Sequence, residues 1–337
     1  MIDRPDISVV LSTYNRCDIL PAALDSLVVQ EAPGVQFEVL VVDNNSSDDT
    51  RSVVRGYAAR DRRIHYVFEP KQGLSHGLNT GISRAAGAIV ALTDDDLVMP
   101  RDWIANVKKA FDGHPEAAFI GSRVLPQWLG SVPPWLTRDV WAALALQDAD
   151  AEFYTDAANP VCLIGKSFRR DVLLAVGGFR PDLGRIKDTV GSIEDDELQR
   201  RLWAQGFRGM HVPSVVLLSP VATERLAKSY FRRWYQGHGR YYALLRPAEL
   251  ERSVGRLVDV PLALYRQAFE NLAAWLGATL LRRHDVAFSR EMQLRFFAGF
   301  FRQRCASVRA GGGSRSLFRE VLALPSALLG RRTVGTP

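Results

Sequence analysis

The sequence predicts an α/β chain, a mostly parallel sheet flanked by helices, with a basic helical extension behind it. Three observations carry that expectation. Short β-branched runs alternate with segments of helical period early in the chain, three of those runs end in polar clusters, and basic charge gathers at the far end. The expected strands are "ISVVLS" (7–12), "FEVLVVD" (37–43), "IHYVF" (64–68) and "AIVALTD" (88–94), with "DILPAALDSLVVQ" and "SHGLNTGISRAAG" as helices between them. That order implies βαβ units, and ligands of such sheets bind beyond the carboxyl ends of the strands. The residues standing there are Ser12, Thr13, Tyr14 and Asn15 after the first run, Asp43, Asn44 and Asn45 after the second, and Asp94, Asp95 and Asp96 after the fourth.

The 337 residues suffice for about two domains, or one large α/β unit with an extension; we divide the chain into 1–240 and a basic helical region, 241–337. Cys17, Cys162 and Cys305 stand at no metal-ligand spacing, which argues against a disulfide framework or a zinc site and fits a reduced, cytoplasmic setting. The charged opening "MIDRPD" meets a strand at once, so no signal peptide is expected. The most apolar later stretch, 257–281, is interrupted by Asp259, Arg266 and Glu270, short of the ~18 apolar residues a membrane span needs. Net charge is +6, yet residues 225–337 hold about twenty Lys and Arg against about seven Asp and Glu. Within "PLALYRQAFENLAAWLGATLLRR" and "AFSREMQLRFFAGFFRQR" large apolar residues recur at helical spacing beside arginines. Such segments suit either helices lying on an anionic membrane surface or helices packed on the rest of the chain or on a second subunit. No recognition motif accompanies the charge, so nucleic acid is not an expected partner.

Two acidic clusters ask for chemistry. Asp or Asn after a strand is commonly a helix cap or turn former, and one cap needs one carboxylate. Asp94, Asp95 and Asp96 exceed that need, and Pro100 already supplies a helix start near "PRDWIANVKKAF". Burying unpaired carboxylates is costly, so the cluster calls for cations; a hard divalent ion that also meets a diphosphate explains it. In "GSIEDDELQRRLWAQG" (191–206) Glu194, Asp195, Asp196 and Glu197 open a helix. The macrodipole rewards one or two acids there by about 0.3–1 kcal/mol, and four exceed it.

"ISVVLSTYNR", "EVLVVDNNSSDDT", "GLNTGISRAAGAIVALTDDDLVMPRDW", "FRRDVLLAVGGF" and "EDDELQRRLWAQGF" together resemble the family 2 glycosyltransferases, in order and approximate spacing, from about residue 6 to 240. The resemblance implies the GT-A fold, a nucleoside-diphosphate sugar donor, usually UDP-linked, and inverting transfer to a hydroxyl of a saccharide, lipid-linked or small-molecule acceptor. It implies a nucleotide-sugar half at about 1–100 and an acceptor half at about 101–240. Thr13, Tyr14 and Asn15 would line the nucleotide pocket and Asp43 would receive the base. Asn79 and Asp95 would contact the donor. Asp94 and Asp96 resemble the Asp-x-Asp pair, with Asp96 the direct ligand of Mg²⁺ or Mn²⁺. Asp195 matches the general base, with Glu194 a neighbour in donor or acceptor binding and Asp196 the register alternative.

Departures from the family pattern stand beside these matches. Ser219 occupies the place where many relatives carry a metal-site histidine, with His211 and His238 the nearest alternatives. Leu78 replaces an arginine common before Asn79, which shifts diphosphate binding onto the metal or onto Arg232 and Arg233. Tyr230 stands at the glutamine position of the Gln-x-x-Arg-Trp element, which favours single addition over processive synthesis. Trp135 and Trp141 in "GSVPPWLTRDVW" are candidates for stacking on a sugar or for core packing, and the loop 179–192 is a candidate lid. Two rival readings stay open: a donor-binding or scaffold protein that has lost catalysis, and a sugar nucleotidyltransferase, whose Gly-rich loop is missing after the first strand. A homo-oligomer and a peripheral place at the cytoplasmic membrane face also stay open.

Overall fold

The computed structural model describes residues 4–156, 160, 165–186, 193–253 and 255–310. Among these, residues 4–131, 144–186 and 194–223 form one compact unit, and 132–143 with 224–310 form another.

The first unit begins as the alternation predicted: β1 (Ile7–Thr13), α1 (Leu20–Val28), β2 (Phe37–Asp43), α2 (Thr50–Ala58), β3 (Ile64–Phe68), α3 (Leu74–Arg84) and β4 (Ile89–Asp94). It continues with α4 (Trp103–Gly113), β5 (Ala117–Trp128), β6 (Phe153–Thr155), β7 (Ser167–Arg169), α5 (Arg170–Ala175), α6 (Glu194–Ala204) and β8 (Arg208–Val221). The described strands form an eight-stranded sheet in the order β3-β2-β1-β4-β7-β5-β8-β6. β1 pairs parallel with β2 and β4, and β2 with β3; β7 runs antiparallel between β4 and β5.

β1 is buried along its whole length, as a strand covered on both faces should be. Over it lies α3. Gly77 and Gly81, four residues apart and so on one face of α3, are there for want of space: a Cβ on Gly77 would stand 2.2 Å from Ser12 Oγ, and one on Gly81 2.3 Å from Val10 Cγ1. The helix after the aspartate cluster starts at Trp103 rather than at Pro100. The Pro100 carbonyl accepts instead from the Trp103 N–H at 3.0 Å and the Gln30 side chain at 2.7 Å.

The second unit holds α7 (Lys228–Leu245), α8 (Ala248–Glu251), a small hairpin of β9 (Arg256–Leu257) and β10 (Val260–Pro261), α9 (Leu262–Leu280) and α10 (His284–Ala310). α10 packs on both α7 and α9. Its aromatic stripe is therefore core: Phe288, Met292, Phe297 and Phe300 are buried, which removes them from any lipid surface. Trp135 is likewise packed, edge-on to Phe231 and Phe288 with centroids 5.2 and 4.5 Å away, so its ring is spent on packing. Where α10 crosses α7 the main chains touch. A Cβ on Gly239 would lie 2.0 Å from the Phe296 carbonyl, and one on Gly299 2.0 Å from that of Gln236. Farther along, the fully buried Arg304 donates to Glu251 at 2.6 Å and Asp259 at 3.1 Å, carboxylates that Arg246 also reaches.

Candidate active site

Strand register brings the polar clusters of the first unit together. β1 lies between β2 and β4, with Thr13 beside Asp43 and Ser12 beside Asp94. Strand order reverses here, because the chain builds outward through β2 and β3 and then returns to the other side of β1. A reversal of this kind opens a crevice at the carboxyl ends.

The loop after β1 is tied to both neighbours. Asn15 adopts a left-handed backbone (φ 51°), accepts from the Ser47 N–H at 2.8 Å, and donates its own N–H to Ser46 Oγ at 3.0 Å. Thr13 Oγ1 donates to Asp95 at 2.7 Å, and Arg16 reaches Asp95 at 2.8 Å and Asp96 at 3.3 Å. Burial works against the Arg16 charge, but Asp95 and then Asp96 outweigh it and hold the guanidinium firmly protonated. Tyr14 is half-buried. Asp43 is buried and accepts from the Ser46 N–H at 2.9 Å and the Tyr66 hydroxyl at 2.7 Å. An ionised carboxylate offers about four acceptor positions, so Asp43 keeps capacity for a ligand N–H.

Asp94 closes β4 with its carboxyl pushed up to about 7, by burial first and then by Asp96 and Asp95; Arg185 opposes the shift and Asp195 adds to it. That last influence joins the aspartate cluster to the acidic start of α6. Asp195 is itself pushed up to about 8, by burial first, then Glu194 and Asp196, against the pull of Lys166. Glu194 is buried. Asp196 is committed to Arg200 at 2.9 Å and Glu197 to Arg201 at 2.7 Å, so two of the four first-turn acids are held by helical ion pairs.

Other expected residues lie elsewhere. Asn79 gives both halves of its amide to Phe179, accepting from its N–H and donating to its carbonyl, each at 2.8 Å. It fastens α3 to the segment after α5, and donor contact is not what holds it there. Arg233 is on α7, in the second unit, lining a groove of about 440 Å³ with Gln236, Arg240, Arg302 and Gln303. Arg232 is paired with Glu291 at 2.7 Å. Ser219 is buried in β8, one residue past Leu218, whose main chain pairs with Val98 just beyond Asp96. His211 is stacked on Phe153 at 4.8 Å with Nε2 against the Ala149 carbonyl at 3.0 Å, and burial lowers its affinity for a proton. His238 is stacked on Trp234 at 4.8 Å in the second unit. Of the loop 179–192, residues 187–192 lie outside the described residues.

The donor set at Asp94 and Asp96 fits a small hard cation. No group of three or more metal-binding side chains occurs among the described residues, but Mg²⁺ is ordinarily held by one or two carboxylates, waters and substrate phosphates. Burial is the larger part of the upward push on Asp94; the rest, from Asp96 and Asp95, is repulsion that such a cation would relieve. Sequence reasoning missed Arg16, Lys166 and Arg185. Arg16 follows Asn15 directly and could have been found by pairing the first loop with the aspartates across adjacent strands; nothing in the sequence marks Lys166.

A doubly wound sheet with carboxylates gathered from the ends of β2 and β4 and from the start of α6 has the GT-A architecture. Residues 8–173 match the family model described as Glycosyl transferase family 2, and that part of the chain is a family 2 glycosyltransferase domain. A glucosyl-dolichyl phosphate glucuronosyltransferase of Haloferax volcanii is 24% identical over 272 residues, covering 79% of this chain and 86% of the relative. A GalNAc(5)-diNAcBac-PP-undecaprenol beta-1,3-glucosyltransferase of Campylobacter jejuni is 39% identical over 94 residues, 27% of this chain and 30% of the relative. Among solved structures, the mannosyltransferase PcManGT from Pyrobaculum calidifontis, in complex with GDP-Man and Mn²⁺, superposes with a TM-score of 0.53 at 22% identity, covering 97% of this chain and 86% of that one. S. aureus TarS 1-349 in complex with UDP gives 0.50 at 16% identity, covering 91% and 92%. At these identities the structural likeness establishes the fold.

Proposed function

We propose that the enzyme moves a sugar, with inversion, from a UDP-linked donor to a hydroxyl of a saccharide or lipid-linked acceptor, with a divalent cation at the diphosphate. The observation that carries this is the convergence of two acidic groups in one electrostatic field, Asp94 to Asp96 at the end of β4 and Asp195 at the start of α6. Transfer from a nucleotide sugar needs both a place for the leaving diphosphate and a base for the acceptor.

Asp43 accepts the imide N–H of the base, and Thr13, Tyr14 and Asn15 line the nucleotide pocket. Asp96, with Asp94, holds Mg²⁺ or Mn²⁺. When bound, that ion stabilises the charge building on the departing diphosphate. Asp95 works through Arg16: the pair fixes the first loop, and Arg16 supplies positive charge where Leu78 cannot. Asp195 takes the proton of the attacking hydroxyl, and its raised affinity for protons suits that task. Glu194 sets the field around it, and Asp196 is the alternative base. On this reading residues 1–240 are catalytic, with the donor held mainly by about 1–100 and the acceptor by about 101–240, and 241–337 is an extension. A lipid-linked acceptor, as the names of the Haloferax and Campylobacter relatives describe for those proteins, would bring the enzyme to the cytoplasmic face of a membrane.

Nucleoside diphosphate release from a panel of UDP- and GDP-sugars, with Mn²⁺, Mg²⁺ or chelator, tests the reading. Cation-dependent release from a UDP-sugar, lost in Asp96→Ala, is expected. Full release in chelator would overturn the metal assignment, and preference for a GDP-sugar would overturn the donor.

A further inference from the structure

Helix α9 carries an apolar stripe that nothing among the described residues covers. Phe269, Leu272, Leu276 and Leu280 follow one another at steps of three, four and four, and so share one face over about three turns. Their exposures are 70, 39, 49 and 84%, and Leu281, just past the helix end, is exposed at 72%. Surfaces commonly show such residues singly; a contiguous row marks a place of contact. Ala278 is the only buried side chain of α9, and Leu264 and Tyr265 are partly buried against the cluster around Phe300 on α10.

From these positions we infer that the Phe269 to Leu280 face of α9 docks on an anionic lipid surface. Charge chooses the occupant. Residues 224–310 hold sixteen Lys and Arg against seven Asp and Glu, and Arg282 and Arg283 follow the stripe directly. A second copy laid on this face would bring two strongly positive surfaces together, whereas acidic headgroups complement them. No helix among the described residues is long and apolar enough to cross a membrane, so contact is by lying in the interface, apolar face down and arginines among the headgroups. The phenylalanines of α10 take no part, being buried. The inference is independent of which sugar is moved: it concerns lipid binding, and it can fail while the transferase reading stands.

Flotation of the full chain with vesicles decides it, using phosphatidylcholine alone or mixed with phosphatidylglycerol, at low and high salt. The expected result is flotation with the anionic mixture, weakened by salt. Leu276→Asp with Leu280→Asp should lower partition by at least about tenfold. Arg282→Glu with Arg283→Glu should abolish the preference for the anionic mixture. Unfolding midpoints show whether the variants are intact, and Leu280→Asp alone, at the most exposed position, serves if the pair is destabilised. No flotation at low salt would overturn the inference, as would flotation that the aspartates leave unchanged. A dimer in sedimentation equilibrium that the aspartates dissociate, without lipid binding, would make the face a subunit interface.

Discussion

Replacing Asp195 with Asn separates catalysis from stability in one experiment. The carboxyl is pushed up to about 8 by burial, by Glu194 and by Asp196, with Lys166 opposing. A base must be ionised to accept a proton, so kcat/KM should fall about tenfold for each pH unit below that value, and Asp195→Asn should slow transfer by roughly 10²–10⁴-fold at the plateau. For stability the sign reverses. An unfolded aspartate titrates near ~3.9, so between about pH 4 and 8 the folded state keeps a proton that the unfolded chain has released. The stabilisation is complete below about 4 and is lost as pH rises through about 8. Four units at about 1.4 kcal/mol each would set a ceiling of roughly 5–6 kcal/mol; water reaching a half-buried side chain reduces this to about 1–3 kcal/mol. Asn cannot ionise. The variant should therefore match wild type in urea unfolding near pH 4, differ little at pH 5 and exceed it by about 1–3 kcal/mol at pH 9, while losing activity. Glu194→Gln should move the acid limb of the rate profile to lower pH, and Lys166→Met should move it higher. A stability difference that is the same at pH 5 and 9, or near-normal turnover, would refute the reasoning and move the base to Asp196 or Glu194.

Asp96→Ala should abolish the cation-dependent part of UDP binding in calorimetry with Mn²⁺ and leave the unfolding midpoint near wild type; unchanged affinity would count against the metal pair. Arg304→Met removes two charge-assisted hydrogen bonds from Glu251 and Asp259, which keep Arg246 and Arg256, and should cost about 1.5–3 kcal/mol in denaturant unfolding. Gly299→Val drives a Cβ into the Gln236 carbonyl and should cost about 3 kcal/mol, whereas a loss under about 0.5 kcal/mol would mean that the helices separate freely.

The nucleotide side of the fold was legible because β1 to β4 are β-branched runs closed by polar residues, and both period and punctuation survive in one dimension. β5 and β8 were harder to read. β5 buries small residues such as Ala117, Ala118, Gly121 and Ser122, and β8 contains Pro213 and Pro220, which read as breakers. The prolines are tolerated because β5 to β8 pairing slips between Gly121/His211 and Arg123/Val216, leaving an irregular stretch at Pro213, and because Pro220 lies near the strand end. The acidic site residues could be named from excess alone, since three and four carboxylates in a row exceed any capping need. Their counter-charges could not. Arg16 and Lys166 gain meaning only once β1 and β4 are neighbours and β7 brings Lys166 toward α6. In α10, arginines beside phenylalanines describe a lipid-facing helix and a helix clasped between two others equally well; burial of Phe288 and Phe300 decides for the second.

The crossing of α7 and α10 has a consequence for how the second unit comes to exist. Because Gly239 and Gly299 leave no side-chain layer between the helices, each helix completes the packing surface of the other, and the residues that meet are about sixty apart in sequence. The loop between them must close before that contact returns any energy, which makes it a late, cooperative event in folding. Trimming the chain back past Gly299 would not leave a shorter but otherwise sound unit. It would strip the later half of α7 of its partner, expose the Gly239 and Ala243 face, and turn a folded extension into a site for chaperones and proteases.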